Sequence, residues 1–445
     1  MISNHIKKSG CNSHNFLRVI GPVMASVIFA TPLMAADNSS TGYSISGGSD
    51  TVFRMRTNID KKNIYPIYEY LHFDVTDTLS DGSSTSFYIG AWGRADLADK
   101  STDKYTDADL QYAYLSYRSA KNNTVVNVGR QFVTEGVAAE RLDGLYLRSD
   151  FRGGFGAVVY AGKPVITETN FKGGNVVYGT RLSQSDTQYY TVGLSALKSE
   201  REDNSRYREE EGIDLWFHPL NQVDLTGRST YNSITGGWME HAYALSVTPT
   251  EKLRISTDFS HVNYYDYFFN MTASSLSFVD RSIDPNEKLT SAGVAVSYSP
   301  IKNLTLITDY KVYGYEIAKT ANYFGGKAAY TLPQAFAVGI GIHRMDGQAD
   351  RLRYTEYRAY ASKKIGRANV YVDLINLGYD AAINGVKNSY AITGAAGYQL
   401  NEKVLVGANM EYSKSPDFDN ELRGLLKLTY TFDTKLGEWG KKHEK

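Results

Sequence analysis

Cysteine is almost absent from this chain: Cys11 is the only one among 445 residues. It lies before the apolar stretch 19–30 and is therefore not placed as a lipoprotein acceptor. A chain cleaved after Ala35 or Ala36 has no thiol, no disulfide and no site for covalent haem attachment. We expect no bound cofactor.

Long apolar runs are also missing. Past residue 36 the sequence has no uninterrupted run of about 18 apolar residues. The mean hydropathy of the whole chain is −0.37, too polar for a bundle of membrane-spanning helices. No segment shows a long repeat of 3.6 residues, so we expect helices to be a minor part of the fold.

Clustered catalytic or metal-binding groups are not recognisable. No glycine-rich phosphate loop follows a strand and opens a helix, and no nucleophile, base and orienting group stand out together. The histidines after residue 36 are scattered, without a pair at metal-ligand spacing: His72, His218, His241, His261, His343 and His443. We expect neither an enzyme nor a metal site.

Residues 1–36 have the features of a secretory signal peptide. Their apolar run is too short to span a membrane and is followed at once by polar residues. Cleavage would take the formal net charge from 0 to −3, because the segment holds three basic and no acidic residues, Lys7, Lys8 and Arg18. No basic patch remains to indicate a nucleic-acid partner.

What the chain does contain is tyrosine and glycine, 35 and 39 residues respectively, and segments of alternating polarity. Apolar residues alternate with small or polar ones between residues 253 and 260, and again between 404 and 412. Side chains that alternate in this way give a strand one lipid-facing and one wet face. The sequence predicts an all-β fold in one domain, a transmembrane antiparallel β-barrel over residues 37–432 with a periplasmic tail at 433–445.

The connections between these segments alternate in length. Short ones carry proline or asparagine at turn positions, as at residues 299–303. Longer polar ones lie between them, as at 198–210, 266–287, 345–351, 380–387 and 413–420. This alternation predicts hairpins between two rims and about 22 strands, with about 20 as the alternative because residues 125–149 are weak segments. An even number puts both chain ends on the periplasmic side.

The last segment, residues 422–432, has the clearest dyad pattern. It resembles the terminal strand by which outer-membrane barrels are recognised for assembly, with a glycine, spaced apolar positions and a final aromatic: Gly424, Leu426, Leu428, Tyr430 and Phe432. The resemblance implies two partners, the barrel assembly machinery and outer-membrane lipid. Many such barrels end at the aromatic residue, whereas this chain continues to Lys445.

Two further stretches each allow two interpretations. The acidic residues at 96–109 either form a solvated loop or supply oxygen ligands for calcium at an outer rim. The aromatic residues at 264–269 either belong to an extracellular girdle or form a track that guides sugars through a channel.

Residues 128–150 carry the densest set of charged and polar side chains. Charges on a lumen face determine which ions pass, and a loop folded inward narrows the bore. The alternative is a strand pair with an ordinary outer loop. The candidate lumen or constriction residues are Arg130, Gln131, Glu135, Glu140, Arg141, Asp143 and Arg148.

Within this stretch, residues 129–131 and 142–145 resemble outer-membrane porins of metal-respiring bacteria. That group includes porins that surround a multihaem c-type cytochrome in electron conduits across the outer membrane. The resemblance implies a haem-free barrel whose partner is such a cytochrome.

Two functions follow from these observations. The first is an outer-membrane channel, a porin, for small polar solutes or ions. The alternative is the barrel sheath of a trans-outer-membrane electron conduit. Both place the mature chain in the cell outer membrane.

Overall fold

A computed structural model describes residues 42–57, 62–98, 105–165, 174–186, 188–200, 206–269, 284, 286–317, 319–332, 336–418 and 420–435. The expected signal peptide and all of the tail after residue 435 lie outside these residues. The final strand runs to Lys435, three residues beyond the predicted barrel end at Phe432.

Within this described part, the chain is almost entirely strand. Among the described residues the only α-helix is the single turn Tyr264–Tyr267, and short 3-10 turns occur at Arg152–Gly154 and Asp350–Leu352. No described helix has the length and apolar character needed to cross a membrane. The strands are β1 Gly42–Thr57, β2 Asn63–Ile64, β3 Pro66–Thr78, β4 Ser84–Asp96, β5 Thr106–Arg118, β6 Thr124–Glu135, β7 Ala138–Asp150, β8 Phe155–Pro164, β9 Val176–Asp186, β10 Tyr190–Glu200, β11 Arg206–Leu220, β12 Val223–Asn232, β13 Gly237–Thr250, β14 Leu253–Asn263, β15 Lys288–Tyr298, β16 Leu304–Tyr315, β17 Lys319–Leu332, β18 Phe336–Gly347, β19 Arg353–Ile365, β20 Ala368–Ile383, β21 Val386–Asn401, β22 Val404–Lys414 and β23 Glu421–Lys435.

The sheet is a closed antiparallel ring. From β3 onward each strand pairs with the next along the chain, and β1 pairs with both β3 and β23. The two-residue β2 pairs only with the end of β1, so 22 strands form the wall. The predicted fold class and the first of the two predicted strand numbers are confirmed.

The two faces of the wall differ in the way that the alternating sequence predicts. On β18, Val338, Ile340 and Ile342 are 41%, 67% and 52% exposed, and they alternate with glycine and His343. On β23, Leu426, Leu428 and Tyr430 are exposed in the same way. Exposed apolar side chains on one face of nearly every strand match the lipid-facing surface of a membrane barrel. We call this the outer face and the opposite one the lumen face.

The two rims also differ. All connections at the rim that holds both chain ends, the short-turn rim, have two to five residues. Those at the other, the long-loop rim, include the stretch of 24 residues between β14 and β15. The predicted long connection at 380–387 is wrong: β20 and β21 continue to a two-residue turn at Asn384 and Gly385, where positive φ values of 50° and 80° allow the chain to reverse.

Ring closure brings the last strand against a glycine of the first. Phe432 is paired in register with Gly47, which is in turn paired with Phe73. A Cβ atom on Gly47 would lie 2.7 Å from the Phe432 ring, and the rings of Phe432 and Phe73 are 6.3 Å apart. The aromatic end of β23 therefore packs across the seam on the outer face.

We predict that Phe432→Ala, and Tyr430→Ser combined with Phe432→Ser, leave most of the chain unassembled, because this strand closes the ring. The matched control is Phe155→Ala, which removes an outer-face ring that is 59% exposed on β8. The measurement is the heat-modifiable gel shift of membrane fractions. Normal levels of assembled Phe432→Ala protein would contradict the role given to this strand.

Candidate functional site

The β6–β7 hairpin leaves the barrel wall partway along its length. The pairing of β5 with β6 begins where Arg118 is opposite Val125 and ends where Ala113 is opposite Arg130. The pairing of β7 with β8 ends where Leu142 is opposite Pro164. Strands β6 and β7 stay paired with each other up to Glu135 and Ala138. We call residues 131–141, which are paired with neither neighbouring strand, the inner hairpin.

A pair of glycines lies where the hairpin departs. Gly129 and Gly144 are directly opposite each other in the β6–β7 ladder. Gly129 has a φ of 127°, and a Cβ atom there would lie 2.3 Å from the Ala113 carbonyl oxygen. A Cβ on Gly144 would lie 2.1 Å from the Ala161 carbonyl oxygen. Only glycine allows both this backbone conformation and this close approach, so the pair permits the bend.

The tip of the inner hairpin contacts the lumen face several strands away. The Val137 amide donates a hydrogen bond to Ser195 Oγ at 3.1 Å. A Cβ atom on Gly212 would lie 2.4 Å from Val137 Cγ1. Ser195 on β10 and Gly212 on β11 are paired in register, and each alternates with exposed outer-face residues. The hairpin therefore lies inside the barrel and crosses β8 to β11.

Apolar side chains fill the space between the inner hairpin and this wall. The main buried cluster among the described residues joins side chains of β6 and β7 to lumen-face residues of β8, β9 and β10: Val133, Ala138, Leu142, Val158, Tyr160, Val177 and Leu197. None of them is more than 4% exposed. An apolar lumen face under a hairpin removes surface from water and so holds the hairpin in place.

Two arginines of the wall attach to carboxylates of the hairpin. Arg208 lies 2.6 Å from Glu140 and 2.7 Å from Glu210. Arg181 lies 2.6 Å from Asp214 and 3.8 Å from Glu135. The Arg208 and Glu140 side chains are only 14% and 13% exposed. Removing one member of such a buried pair leaves the other charge without compensation, which costs about 3–5 kcal/mol.

The other face of β6 and β7 points away from β8–β11, and where these strands leave the wall, at the base of the inner hairpin, it carries a second group of charges. Arg130 holds both carboxylate oxygens of Asp143, at 2.7 and 2.9 Å. Arg141 lies 2.5 Å from Asp109 of β5, and Arg130 is 3.6 Å from the same carboxylate. Phe132, on this face, is 58% exposed. We call Arg130, Arg141, Asp109 and Asp143 the charged quartet.

The sequence-predicted site residues thus have four different environments. Arg130, Arg141 and Asp143 belong to the charged quartet, whereas Glu135 and Glu140 attach the hairpin to the wall. Gln131 is 2% exposed, with Nε2 3.4 Å from the carbonyl oxygens of Asn127 and Gly144. Arg148 is separate: it is paired with Asp150 at 3.3 Å towards the short-turn rim.

Sequence reasoning missed the partners that the rest of the barrel supplies: Arg181, Arg208, Glu210 and Asp214. They lie on β9 and β11 and carry no local signal, because only the inward bend brings them to the hairpin. In the sequence Asp109 stands out only as part of the acidic stretch at 96–109. In that stretch Asp96 is 1% exposed and accepts hydrogen bonds from the Tyr65 and Ala98 amides.

The structure describes part of the acidic stretch at 96–109 and all of the aromatic stretch at 264–269. Among the residues that the structure covers, no group of three or more histidine or acidic side chains is arranged to hold a metal ion; residues 99–104 lie outside that set. The aromatic segment forms the turn Tyr264–Tyr267 at the long-loop rim, with the Phe268 ring edge-on to Tyr264 and Tyr267 at 5.5 and 5.0 Å.

Comparisons with known proteins point to the same architecture. No protein-family description matches the chain, and no curated protein matches its sequence. A mutant of the ferric enterobactin receptor PfeA from Pseudomonas aeruginosa aligns with a TM-score of 0.51 and 10% identity, over 87% of this chain and 80% of that one. OccAB4 of Acinetobacter baumannii aligns with a TM-score of 0.45 and 11% identity, over 89% and 99%.

OccK8 (OprE) of Pseudomonas aeruginosa aligns with a TM-score of 0.41 and 8% identity, over 88% of this chain and 98% of that one. At such low identities the likeness concerns the fold alone. It does not support the resemblance to porin–cytochrome conduits. The motif residues behind that resemblance include Gly129 and Gly144, which the bend of the hairpin explains on its own.

We predict that Val137→Cys combined with Gly212→Cys forms a disulfide spontaneously, because the two Cβ positions are within bridging range only when the hairpin lies inside the barrel. The measurement is a gel shift that disappears on reduction, in a chain that has no cysteine after Cys11.

The matched control is Val137→Cys with Gly407→Cys, on the lumen face of β22, where a Cβ has open space with its nearest neighbour at 3.8 Å. This pair should stay reduced. Failure of the first pair to cross-link, while both thiols remain reactive towards a maleimide, would mean that the hairpin is not seated on β10 and β11.

Proposed function

We propose that this protein is a channel of a Gram-negative outer membrane through which small polar solutes diffuse down their gradients. The observation that carries this proposal is the inner hairpin, which narrows a wide barrel with a charged, partly exposed surface. A barrel of this strand number has a bore that side chains alone do not fill, so its remaining space holds water.

The outer face supports the membrane location. It presents exposed apolar side chains around the ring, whereas an apolar band of this kind would be unfavourable in water. The closed ladder leaves no free sheet edge along β1 and β23, the condition that lipid imposes on a spanning sheet. Lipid and the barrel assembly machinery are the partners that this location implies.

The charged quartet, at the base of the inner hairpin, is the charged group that we expect to act on solutes. Its two arginines and two aspartates are paired, so their formal charges cancel. Charges in a narrow, partly desolvated passage set the local concentration of ions. We therefore expect a channel of weak ion selectivity, in which the quartet offers donors and acceptors to polar solutes.

The alternative function, a sheath around a multihaem cytochrome, requires a bore open to the partner. The inner hairpin occupies part of that bore and is attached to the wall by the buried contacts of Arg208 with Glu140 and by the apolar cluster. This arrangement favours a solute channel over a sheath. The proposal involves no catalytic step.

We predict that Arg130→Gln combined with Arg141→Gln makes the channel more cation-selective, because Asp109 and Asp143 then lack their counter-charges. The permeability ratio of potassium to chloride should rise roughly threefold. The measurement is the reversal potential of single channels in a planar bilayer under a salt gradient. Arg148→Gln, closer to the short-turn rim, should have a smaller effect.

The matched control is Arg344→Gln, which removes an arginine of the outer face that is paired with Asp380. It should leave the reversal potential unchanged. A purified chain that forms no conducting pores would overturn the channel. A stoichiometric Soret band in protein taken from native membranes would restore the cytochrome sheath.

A further inference from the structure

Tyrosines form a row on the lumen face across the ring from the base of the inner hairpin. Register places Lys311, Tyr323, Met345, Tyr354 and Tyr379 side by side on β16 to β20. At roughly 5 Å per strand, the row covers about 20 Å of wall. On β17 and β19, Phe324 and Tyr357 point to the opposite side of the sheet from Tyr323 and Tyr354, and both are exposed on the outer face. The row therefore faces the lumen. We call Tyr323, Tyr354 and Tyr379 the tyrosine row.

An acidic row adjoins it on the side of the short-turn rim. Asp309, His343 and Glu356 lie in register two residues further along their strands, which is about 7 Å away. His343 Nε2 is 3.0 Å from Asp309, and its ring stacks on Tyr323 at 5.0 Å. The Tyr323 hydroxyl donates to Glu356 at 3.4 Å. Among the described residues, neither carboxylate has an arginine or lysine within salt-bridge distance.

Basic side chains form the next row. Lys327 and Arg358 are each paired with Gly341, and both lie on the lumen face. Arg358 is held by Asp373 at 2.7 Å, whereas Lys327 is exposed to the lumen. Aromatic faces, acceptors and donors therefore follow one another down the same strip of wall.

The aromatic surface continues towards the long-loop rim. Tyr313 and Tyr315 of β16 are stacked at 6.3 Å, with the Lys311 ammonium 5.5 Å above Tyr313. Glu287 links the long-loop end of β16 to the one-turn helix. Its carbonyl oxygen accepts a hydrogen bond from the Tyr264 amide at 3.0 Å, and its carboxylate accepts one from the Ile317 amide at 2.9 Å. Aromatic rings thus extend from the rim to the tyrosine row.

We propose that this strip is a binding site for sugars, with the tyrosine row as the stacking platform. The electron-rich face of a tyrosine suits the C–H face of a sugar ring, and sugar hydroxyls both donate and accept hydrogen bonds. Asp309 and Glu356 would accept from hydroxyls, and Lys327 would donate to them. The inference rests on the proposed channel and names the solute class that it favours.

Charge decides between a sugar and an organic cation, the other ligand that aromatic and acidic groups attract. An organic cation would bind over an aromatic ring face, but on this wall the ammonium of Lys311 already lies over the Tyr313 ring and is bound to Asp258 at 2.6 Å. Lys327 and Arg358 further oppose a second cation below the row. A neutral ligand with many hydroxyls uses the acidic and basic rows together.

The test is calorimetric titration of the full-length barrel in detergent with glucose, maltose and maltotriose, together with block of its bilayer current by the same sugars. Affinity should rise from glucose to maltotriose as more of the row is covered. Tyr354→Leu with Tyr379→Leu should weaken maltotriose binding about tenfold. Glu356→Gln should weaken it several-fold, and Tyr354→Phe should retain most of it.

The matched control is Tyr357→Leu, which removes a tyrosine of the same strand from the outer face, where it is 52% exposed. It should bind maltotriose like the unmodified protein. Heat-modifiability of each variant verifies that the barrel is assembled.

Each contrary outcome has a distinct meaning. If the unmodified protein conducts but binds none of the three sugars, the sugar site is overturned and the channel stands. The same holds if the double leucine variant conducts and binds the sugars as tightly as the unmodified protein does. Tetraethylammonium binding more tightly than maltotriose also overturns the sugar site. Sugar binding by assembled barrels that do not conduct would support the site and overturn the proposed channel.

Discussion

Backbone hydrogen bonding is the constraint on which the rest of this structure depends. Lipid offers no partner for an unpaired amide or carbonyl, so a spanning sheet must close on itself. The closure here is the pairing of β1 with β23, sealed on the outer face where Phe432 packs over Gly47. Between the two rims, chain that leaves the wall must enter the lumen, because only there can it meet water or protein.

The inner hairpin meets this constraint by keeping its own ladder. Strands β6 and β7 remain paired with each other after β6 has separated from β5 and β7 has separated from β8. The glycine pair at Gly129 and Gly144 permits the bend, and apolar residues on the lumen face of β8–β10 receive the hairpin. The buried pair of Arg208 with Glu140 then fixes its position, since separating the two would leave charges uncompensated.

The strands and their faces could be predicted from the sequence, because a period of two is a local signal and the turns are marked locally too. The inner hairpin could not be placed in this way. Gln131 and Val133 are buried while Phe132 is exposed, the same alternation that a wall strand would show. Its charges form a recognisable group in the sequence, but their partners on β9 and β11 are distant in sequence and become neighbours only through the bend.

The resulting lumen has two chemically different sides. On the hairpin side Arg130, Arg141, Arg181 and Arg208 are each matched by carboxylates at short distance, so these charges hold the inner hairpin and the neighbouring strands together. Across the ring, within the described part of the chain, the carboxylate of Asp309 is held by His343 and that of Glu356 by the Tyr323 hydroxyl, with no arginine or lysine on either. Polar groups whose hydrogen-bonding capacity is not used within the protein remain available to a ligand. This difference between the two sides, rather than the overall charge of the bore, is the basis of the ligand recognition that we propose for the tyrosine side.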